Sequence, residues 1–427
     1  MARKQDEREK VTPSRVALQA ADQPGLSLLE VAERGREMTA LAKQLRDKIL
    51  APKPRKTAPV FSTSQLAEIC GVDRQRVNYL VKKGGVLPEG TIKGSSREFS
   101  LVEAQEWVAA EKGLYKRTEH SKAAVLCSAN FKGGSTKSTT AMCLAQGLTL
   151  RGKKVLVVDL DPQGSLTELC GYYADVEIQE EHTIAPFIAS YADDEPMTSL
   201  EPVVRETYWH NLKLIPASAA LFGAEFNFPL IVRKRPDFKI WTLLRRGLEA
   251  LRHDYDFIIL DTAPSLSYVT VNALMAADSI IMPLVPDSLD FISSMQFWSL
   301  FSDLTQMLAE AEESKRYDMI QIVLSKVDSN SSAVAIVREW AHLAYGPWMF
   351  ATEVPYSTAA STGALSFNTV FDQMKGSTDA SKKTIERLRG PLNTLCEHID
   401  TFYAAKWAAE EAQALDRLAE QSKETVE

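Results

Sequence analysis

The chain has 427 residues, 45% hydrophobic and 25% charged, which suits a soluble globular protein of two or three domains. No run approaches the roughly eighteen apolar residues of a membrane span, and the polar start MARKQDEREK is not expected to be a signal peptide. Five scattered cysteines without a C-x-x-C spacing point to a reducing cytosol and away from iron–sulfur or zinc sites. The net charge of −7 is uneven, with a surplus of 6 positive charges in residues 1–120 and of 13 negative charges in the remainder. A basic N-terminal part on an acidic body fits either nucleic-acid binding or a plain basic surface.

Residues 1–25 are polar and broken by Pro13, Pro24 and Gly25. Leu28–Leu50 then reads as one helix, with Met38, Leu41, Leu45 and Ile49 on a stripe and Lys43, Arg46 and Lys48 off it. That stripe needs a covering surface, either a second protomer or the chain's own body. Residues 51–56 (APKPRK) break the helix as a linker. Ser62-x-x-Gln65 is a capping box for a short helix with Leu66 and Ile69 inward. After the turn at Gly71-Val72-Asp73, Asp73 caps a second helix that directs Val77, Leu80 and Val81 inward. Arg74, Gln75, Asn78 and Lys82 then face outward, types that read base edges and phosphates in a major groove. Glycines 84, 85, 90 and 94, with Lys93 and Arg97, predict a hairpin wing, and Ser100-x-x-Glu103 caps a closing helix carrying Val102 and Trp107. The pattern resembles the winged helix-turn-helix of the MerR type, and a plain helical subdomain is the alternative. It sets expected divisions at 1–57 (arm, helix and linker), 58–120 (winged helix-turn-helix), 121–400 (nucleotide-binding body) and 401–427 (acidic tail).

The body begins with apolar Ala123–Cys127, a buried strand, then Lys132-Gly133-Gly134-Ser135-Thr136-Lys137-Ser138-Thr139, then a helix that closes at Gly152. Strand, glycine turn, lysine plus hydroxyl and helix make a phosphate-binding loop. Backbone N–H groups and the helix N-terminus face a polyphosphate, Lys137 reaches it, and Ser138 offers a hydroxyl to Mg2+. The pattern G-x-x-x-x-G-K-[ST] is incomplete, because Phe131 and Thr136 take its glycine positions. The same residues also suit a glycine turn before a surface helix. Apolar Val155–Val158 runs into Asp159-Leu160-Asp161, and apolar Phe257–Leu260 into Asp261, so the aspartates belong at strand ends beside the loop. There one carboxylate can orient an attacking water and others can hold the magnesium shell.

KGGSTKST, LVVDLDPQGSLT and YDFIILDTAPSL together closely resemble the deviant-Walker ParA family of DNA-partition ATPases. The likeness continues through Leu214–Ala217, Asn272–Pro283 and Glu353–Ser357, covering residues 122–400. It implies an α/β fold with a doubly wound, mostly parallel sheet, and the N-terminal extension is similar to that of the large plasmid-type members, which repress their own operon. The resemblance implies ATP and Mg2+ as cofactors. Lys132 would be the signature lysine crossing an ATP-dependent homodimer, Lys137 the cis lysine, Ser138 and Asp261 the Mg2+ contacts, Asp161 the water-positioning carboxylate, with Asp159 beside it. Ser325-Lys326-Val327-Asp328 resembles the guanine-reading N-K-x-D signature but lacks its asparagine, which favours ATP over GTP.

Basic residues Arg233, Lys234 and Arg235, and Lys375, Lys382, Lys383, Arg387 and Arg389, could meet DNA phosphates without sequence preference, as the family does, or form solvated faces. Residues 401–427 hold six acids against three bases, a poor match for a membrane-seeking helix. The expectation is therefore a cytoplasmic, nucleoid-associated partition ATPase with operator and non-specific DNA, a second copy and a centromere-binding ParB-type protein as partners, and no membrane. The alternative is a transcriptional regulator whose ATPase body is a nucleotide-sensing switch.

Overall fold

The computed structural model describes residues 27–50, 56–112, 117–193, 195–309, 315–357, 367–373 and 382–424. The chain divides into two compact units, residues 1–55 and 56–427. In the first, α1 (Leu28–Leu50) spans the residues expected, and Met38 and Leu41 are 62% and 55% exposed. The side chains of Leu45 and Ile49 lie outside the described residues, so half of the expected stripe goes undescribed.

The second unit opens with β1 (Phe61–Ser62) and α2 (Thr63–Cys70), whose Ser62 and Gln65 form the reciprocal capping box. Gly71 ends α2 in the left-handed conformation (φ +70°), and Asp73 caps α3 (Arg74–Lys83) by accepting the Arg76 N–H. β2 (Thr91–Lys93) and β3 (Ser96–Phe99) pair as an antiparallel hairpin, and β3 also pairs with β1. α4 (Leu101–Lys112) buries Trp107 but leaves Val102 exposed, because Leu101, Ala104, Trp107 and Val108 form its inner face.

The remaining strands form one seven-stranded sheet: β4 (Ala124–Ser128), β5 (Val155–Leu160), β6 (Arg205–Glu206), β7 (Leu212–Ile215), β8 (Phe257–Thr262), β9 (Ser279–Leu284) and β10 (Met319–Leu324). Their spatial order is β10-β9-β4-β8-β5-β7-β6, all neighbours parallel except β6 with β7. This is the doubly wound α/β sheet expected. Strands β4, β5, β8 and β9 are buried at every position, as their uniform apolar runs require, since helices cover both faces.

Alternate residues of β5 feed two cores. Val155 and Val157 join Leu126, Met142, Tyr403 and Trp407, while Leu156 and Val158 join Phe187, Leu244 and Phe297. The first core continues into Phe61, Leu66, Val77 and Trp107, so the helix pair α2–α3 is packed onto the sheet's layer rather than tethered to it. Lys56 adds a polar tie: its ammonium donates to Asp372 (3.0 Å) and to the Leu169 carbonyl (2.9 Å). The C-terminal helix Lys382–Glu424 runs unbroken through the boundary expected at residue 400, since Tyr403 and Trp407 pack against Phe257 of β8. It crosses the phosphate-loop helix closely at Gly147, where a Cβ would meet Cys396 Sγ at 2.4 Å.

Candidate functional site

The register places Ser128, Asp261 and Asp159 opposite one another on the adjacent strands β4, β8 and β5. The chain leaves β4 through the loop 129–136 and enters α5 (Lys137–Thr149). The glycine loop, Lys137, Asp161 and Asp261 therefore converge at the carboxyl ends of the central strands, where doubly wound sheets bind ligands.

Within the loop, Gly134 adopts φ +75°, a conformation glycine takes without a Cβ penalty. Thr136, at the position of the usual second glycine, also lies in the left-handed region (φ +70°). Its hydroxyl donates to Ser325 Oγ (3.1 Å) at the end of β10, so the side chain is held against the neighbouring strand end. Lys137 is buried and its ammonium donates to the Lys132 carbonyl (3.1 Å). Burial lowers its pKa, and the carboxylates of Asp261 and Asp161 oppose that shift. Lys132 is half-buried, its N–H bonded to Asn130 Oδ1 (3.1 Å).

The aspartates divide by environment. Asp261 is fully buried, and neither of its oxygens has a partner at full hydrogen-bond geometry among the described residues, although the Ser138 hydroxyl lies near enough to act as a weak donor. Burial pushes its pKa well above the carboxylate range, Asp159 adds to the shift, and Ser138 and Lys137 pull it back. Asp159 is also buried, but Oδ1 accepts the Asp161 N–H (3.1 Å) and Oδ2 accepts the Thr167 N–H (2.8 Å) and hydroxyl (2.7 Å). Burial still lifts it to about 7. Asp161 is partly exposed, with Oδ1 accepting the Gln163 N–H (3.0 Å). Asp159 thus shapes the turn that presents Asp161.

A cavity of about 450 Å³ opens over the loop. Gly133 to Thr140 and Asp161 form its polar wall, while Val354, Pro355, Tyr356, Phe367, Val370, Leu388 and Leu392 form an apolar one. A triphosphate and a heterocyclic base would find matching surfaces there. Ser325 and Lys326 also line it, and Lys326 Nζ donates to the Gly134 carbonyl (2.8 Å). Asp328 is absent from the lining and accepts the Asn330 N–H (3.0 Å), so the Ser-Lys-Val-Asp segment braces the loop instead of presenting its carboxylate to a base. The apolar wall is not legible in the sequence, because its residues come from separate segments with no local signature.

A pair of orphaned carboxylate oxygens beside a serine hydroxyl and a lysine suits a divalent cation shared with phosphates. Among the described residues, no group of three or more His, Cys, Asp or Glu could hold a metal alone. Mg2+ takes few protein ligands and keeps phosphate and water oxygens.

The expected DNA-facing residues are scattered by environment. Arg74, Gln75, Asn78 and Lys82 are all exposed, on one side of α3, while Arg76 is held by Glu111 (2.6 Å). Lys93 is exposed within 3.6 Å of Glu98, and Arg97 donates to the Glu89 carbonyl. Arg233 is exposed, but Lys234 donates to the Ala192 carbonyl and Arg235 lies 5.9 Å over the Tyr191 ring, so that cluster is partly engaged in packing. Lys383 is exposed, Arg387 donates to the Tyr356 carbonyl (3.2 Å), and Arg389 approaches Glu68 (3.6 Å). Lys375 and the side chain of Lys382 lie outside the described residues.

The family model described as an AAA domain matches residues 123–313. Protein SopA of Escherichia coli (strain K12) is 28% identical over 358 residues, 81% of this chain and 89% of that protein. The sporulation initiation inhibitor protein Soj of Bacillus subtilis (strain 168) is 38% identical over 161 residues, 37% of this chain and 57% of that protein. A solved structure titled "Partition Protein" superposes with a TM-score of 0.58 at 19% identity, covering 87% of this chain and 99% of that one, a likeness of fold. No helix of the described residues is long and apolar enough to cross a membrane.

Proposed function

We propose, from the likeness to SopA and Soj, that the chain is a ParA-type partition protein, a Mg2+-dependent ATPase that segregates DNA. The observation that carries this reading is Asp261, fully buried beside Ser138 and Lys137, two residues that line the 450 Å³ cavity. The N–H groups of Gly133 to Thr139 cradle the phosphates of ATP, and Lys137 leaves the Lys132 carbonyl to meet the β- and γ-phosphates. Ser138 and Asp261 hold Mg2+, which neutralises charge on the phosphate oxygens. Asp161 orients the attacking water, and Asp159 fixes the turn that carries Asp161 by holding Thr167. Lys132 acts across a dimer on the partner's phosphates, which ties hydrolysis to association.

In this reading the ATP dimer binds DNA through Lys/Arg–phosphate contacts, and a centromere-bound ParB-type protein triggers release. The face of α3 reads an operator, so the chain represses its own operon in the cytoplasm, near the nucleoid. The test is ATP turnover with and without Mg2+, DNA and the adjacent gene product. Turnover that needs Mg2+ and rises with both additions is expected. ATP binding without turnover under any of these conditions would favour the second reading, a transcriptional regulator with a nucleotide-sensing body. The continuity of the α2–α3 core with the phosphate-loop layer supports that alternative.

A further inference from the structure

Among the described residues, four non-glycine residues have positive φ, and three of them line the same cavity: Thr136 (+70°), Lys326 (+53°) and Phe367 (+52°). Such backbones persist only where the surroundings hold them, and they gather at functional sites. Lys326 is held from both sides. The Ser325 N–H donates to the Leu284 carbonyl (2.8 Å), the Val327 N–H to the Val354 carbonyl (3.1 Å), and the Tyr356 N–H to the Val327 carbonyl (2.9 Å). With both neighbours fixed, the Lys326 side chain reaches the phosphate loop and donates to the Gly134 carbonyl (2.8 Å).

An ammonium has three donors, and Gly134 takes one. Lys326 is exposed, so the other two remain available toward the cavity it lines. The half-buried Asp290 lies within electrostatic range of Lys132 and Lys326, near the edge of the loop that Lys326 reaches. A bound triphosphate would bring several negative charges to this edge, where charge-assisted hydrogen bonds are the strong ones.

We propose that Lys326 is a third lysine of the phosphate site, acting in cis. Its ammonium braces the loop at Gly134 and lends its charge to the phosphate chain of a bound nucleoside triphosphate, while Ser325 fixes Thr136 beside it. This deepens the nucleotide reading above and rests on it. The charge and the brace can be separated by substitution. Lys326→Gln keeps a donor for the Gly134 carbonyl without the charge, Lys326→Arg keeps both, and Lys326→Ala removes both.

Calorimetric titration of the full chain with ATP and with ADP decides the matter, with thermal melting of the nucleotide-free proteins as the check on folding. ATP affinity should fall about tenfold in the Gln and Ala variants, the loss expected for one charge-assisted hydrogen bond. The loss should be smaller for ADP, and the Arg variant should bind within about threefold of wild type. If Lys326→Gln binds ATP as tightly as wild type, Lys326 is a backbone brace only and the proposal is overturned. If the wild-type chain itself fails to bind ATP, the nucleotide reading falls first and takes this proposal with it.

Discussion

Asp159 and Asp261 face each other on adjacent parallel strands, both fully buried, yet one has its oxygens filled by three hydrogen bonds and the other has only the weak approach of the Ser138 hydroxyl. An unsatisfied buried carboxylate is expensive, and the cost is retained here beside Ser138 and Lys137. Replacing Asp261 with Asn should therefore stabilise the nucleotide-free protein at pH 8 by about 1–3 kcal/mol while abolishing Mg2+-dependent ATP turnover. Chemical denaturation paired with a phosphate-release assay checks both. Asp159→Asn should do the opposite to stability, because whichever way the amide turns, its NH2 confronts either the donors of Thr167 or the N–H of Asp161. A destabilised Asp261→Asn protein would mean that the charge is compensated without a cation.

Thr136 tests how a phosphate loop tolerates a side chain where glycine is usual. Its left-handed backbone costs about 1–3 kcal/mol, against a net gain of about 0.5–1.5 kcal/mol from the bond to Ser325. Thr136→Gly relieves the first and loses the second, so its stability should stay within about 1–2 kcal/mol of wild type. Thr136→Ala keeps the strain and loses the bond, and should be the less stable of the two by about 1 kcal/mol. A double-mutant cycle with Ser325→Ala, read by denaturant unfolding, should show coupling at this pair. Additive effects would mean the bond contributes nothing.

The contrast between Thr136 and the aspartates also explains what the sequence revealed. Apolar runs ending in Asp159 and Asp261, and glycines followed by Lys137 and Ser138, are local patterns whose spacing alone carries them to the strand ends. The Thr136–Ser325 bond joins residues 189 apart, and the Lys56–Asp372 pair joins residues 316 apart, so no window along the chain contains either. Positive charge is ambiguous for a different reason. Arg235 stacks on Tyr191 and Lys234 satisfies the Ala192 carbonyl, because long basic side chains also pack and cap. The helix pair α2–α3 was legible from its caps, whereas its shared core with the sheet was not.

That shared core decides how operator binding should be tested. Deleting residues 1–120 would strip Phe61, Leu66, Val77 and Trp107 from a core they share with Leu126 and Met142, so point variants are the cleaner probe. Arg74→Ala and Asn78→Ala should each weaken operator binding by about 1–3 kcal/mol and relax sequence preference. Lys82→Ala should weaken all DNA alike and lower the salt slope by about one. Footprints unchanged in all three would remove α3 as the reading helix.

The two loop lysines should fail differently. Lys137 is buried with Asp261 and Asp161 around it, so Lys137→Ala should cut ATP affinity of the monomer severely. Lys132 is half-buried, and in the loop it is its backbone groups that bond to Asn130, Ser135 and Lys137. Lys132→Ala should bind ATP nearly normally but fail to dimerise on it or hydrolyse it, as sedimentation velocity with ATP would report. Equal loss of affinity in both variants would sink the role across the dimer.

Asp161 joins the chemistry to the movement of DNA. Its carboxylate accepts only the Gln163 N–H among the described hydrogen bonds and opens onto the cavity beside the phosphate loop. Replacing it with Ala removes a group placed to hold water in line with the γ-phosphate without removing a phosphate contact. ATP should therefore still bind and still close the dimer, while hydrolysis stalls. The trapped dimer should remain on non-specific DNA and stay salt-sensitive, because Lys/Arg–phosphate contacts release counterions. Co-sedimentation with DNA and ATP, with and without the centromere-binding partner, measures this directly. Wild type should be released when the partner is added, and the Asp161→Ala protein should not. Release of the variant at the wild-type rate would separate hydrolysis from release, and the segregation reading would give way to the nucleotide-sensing switch.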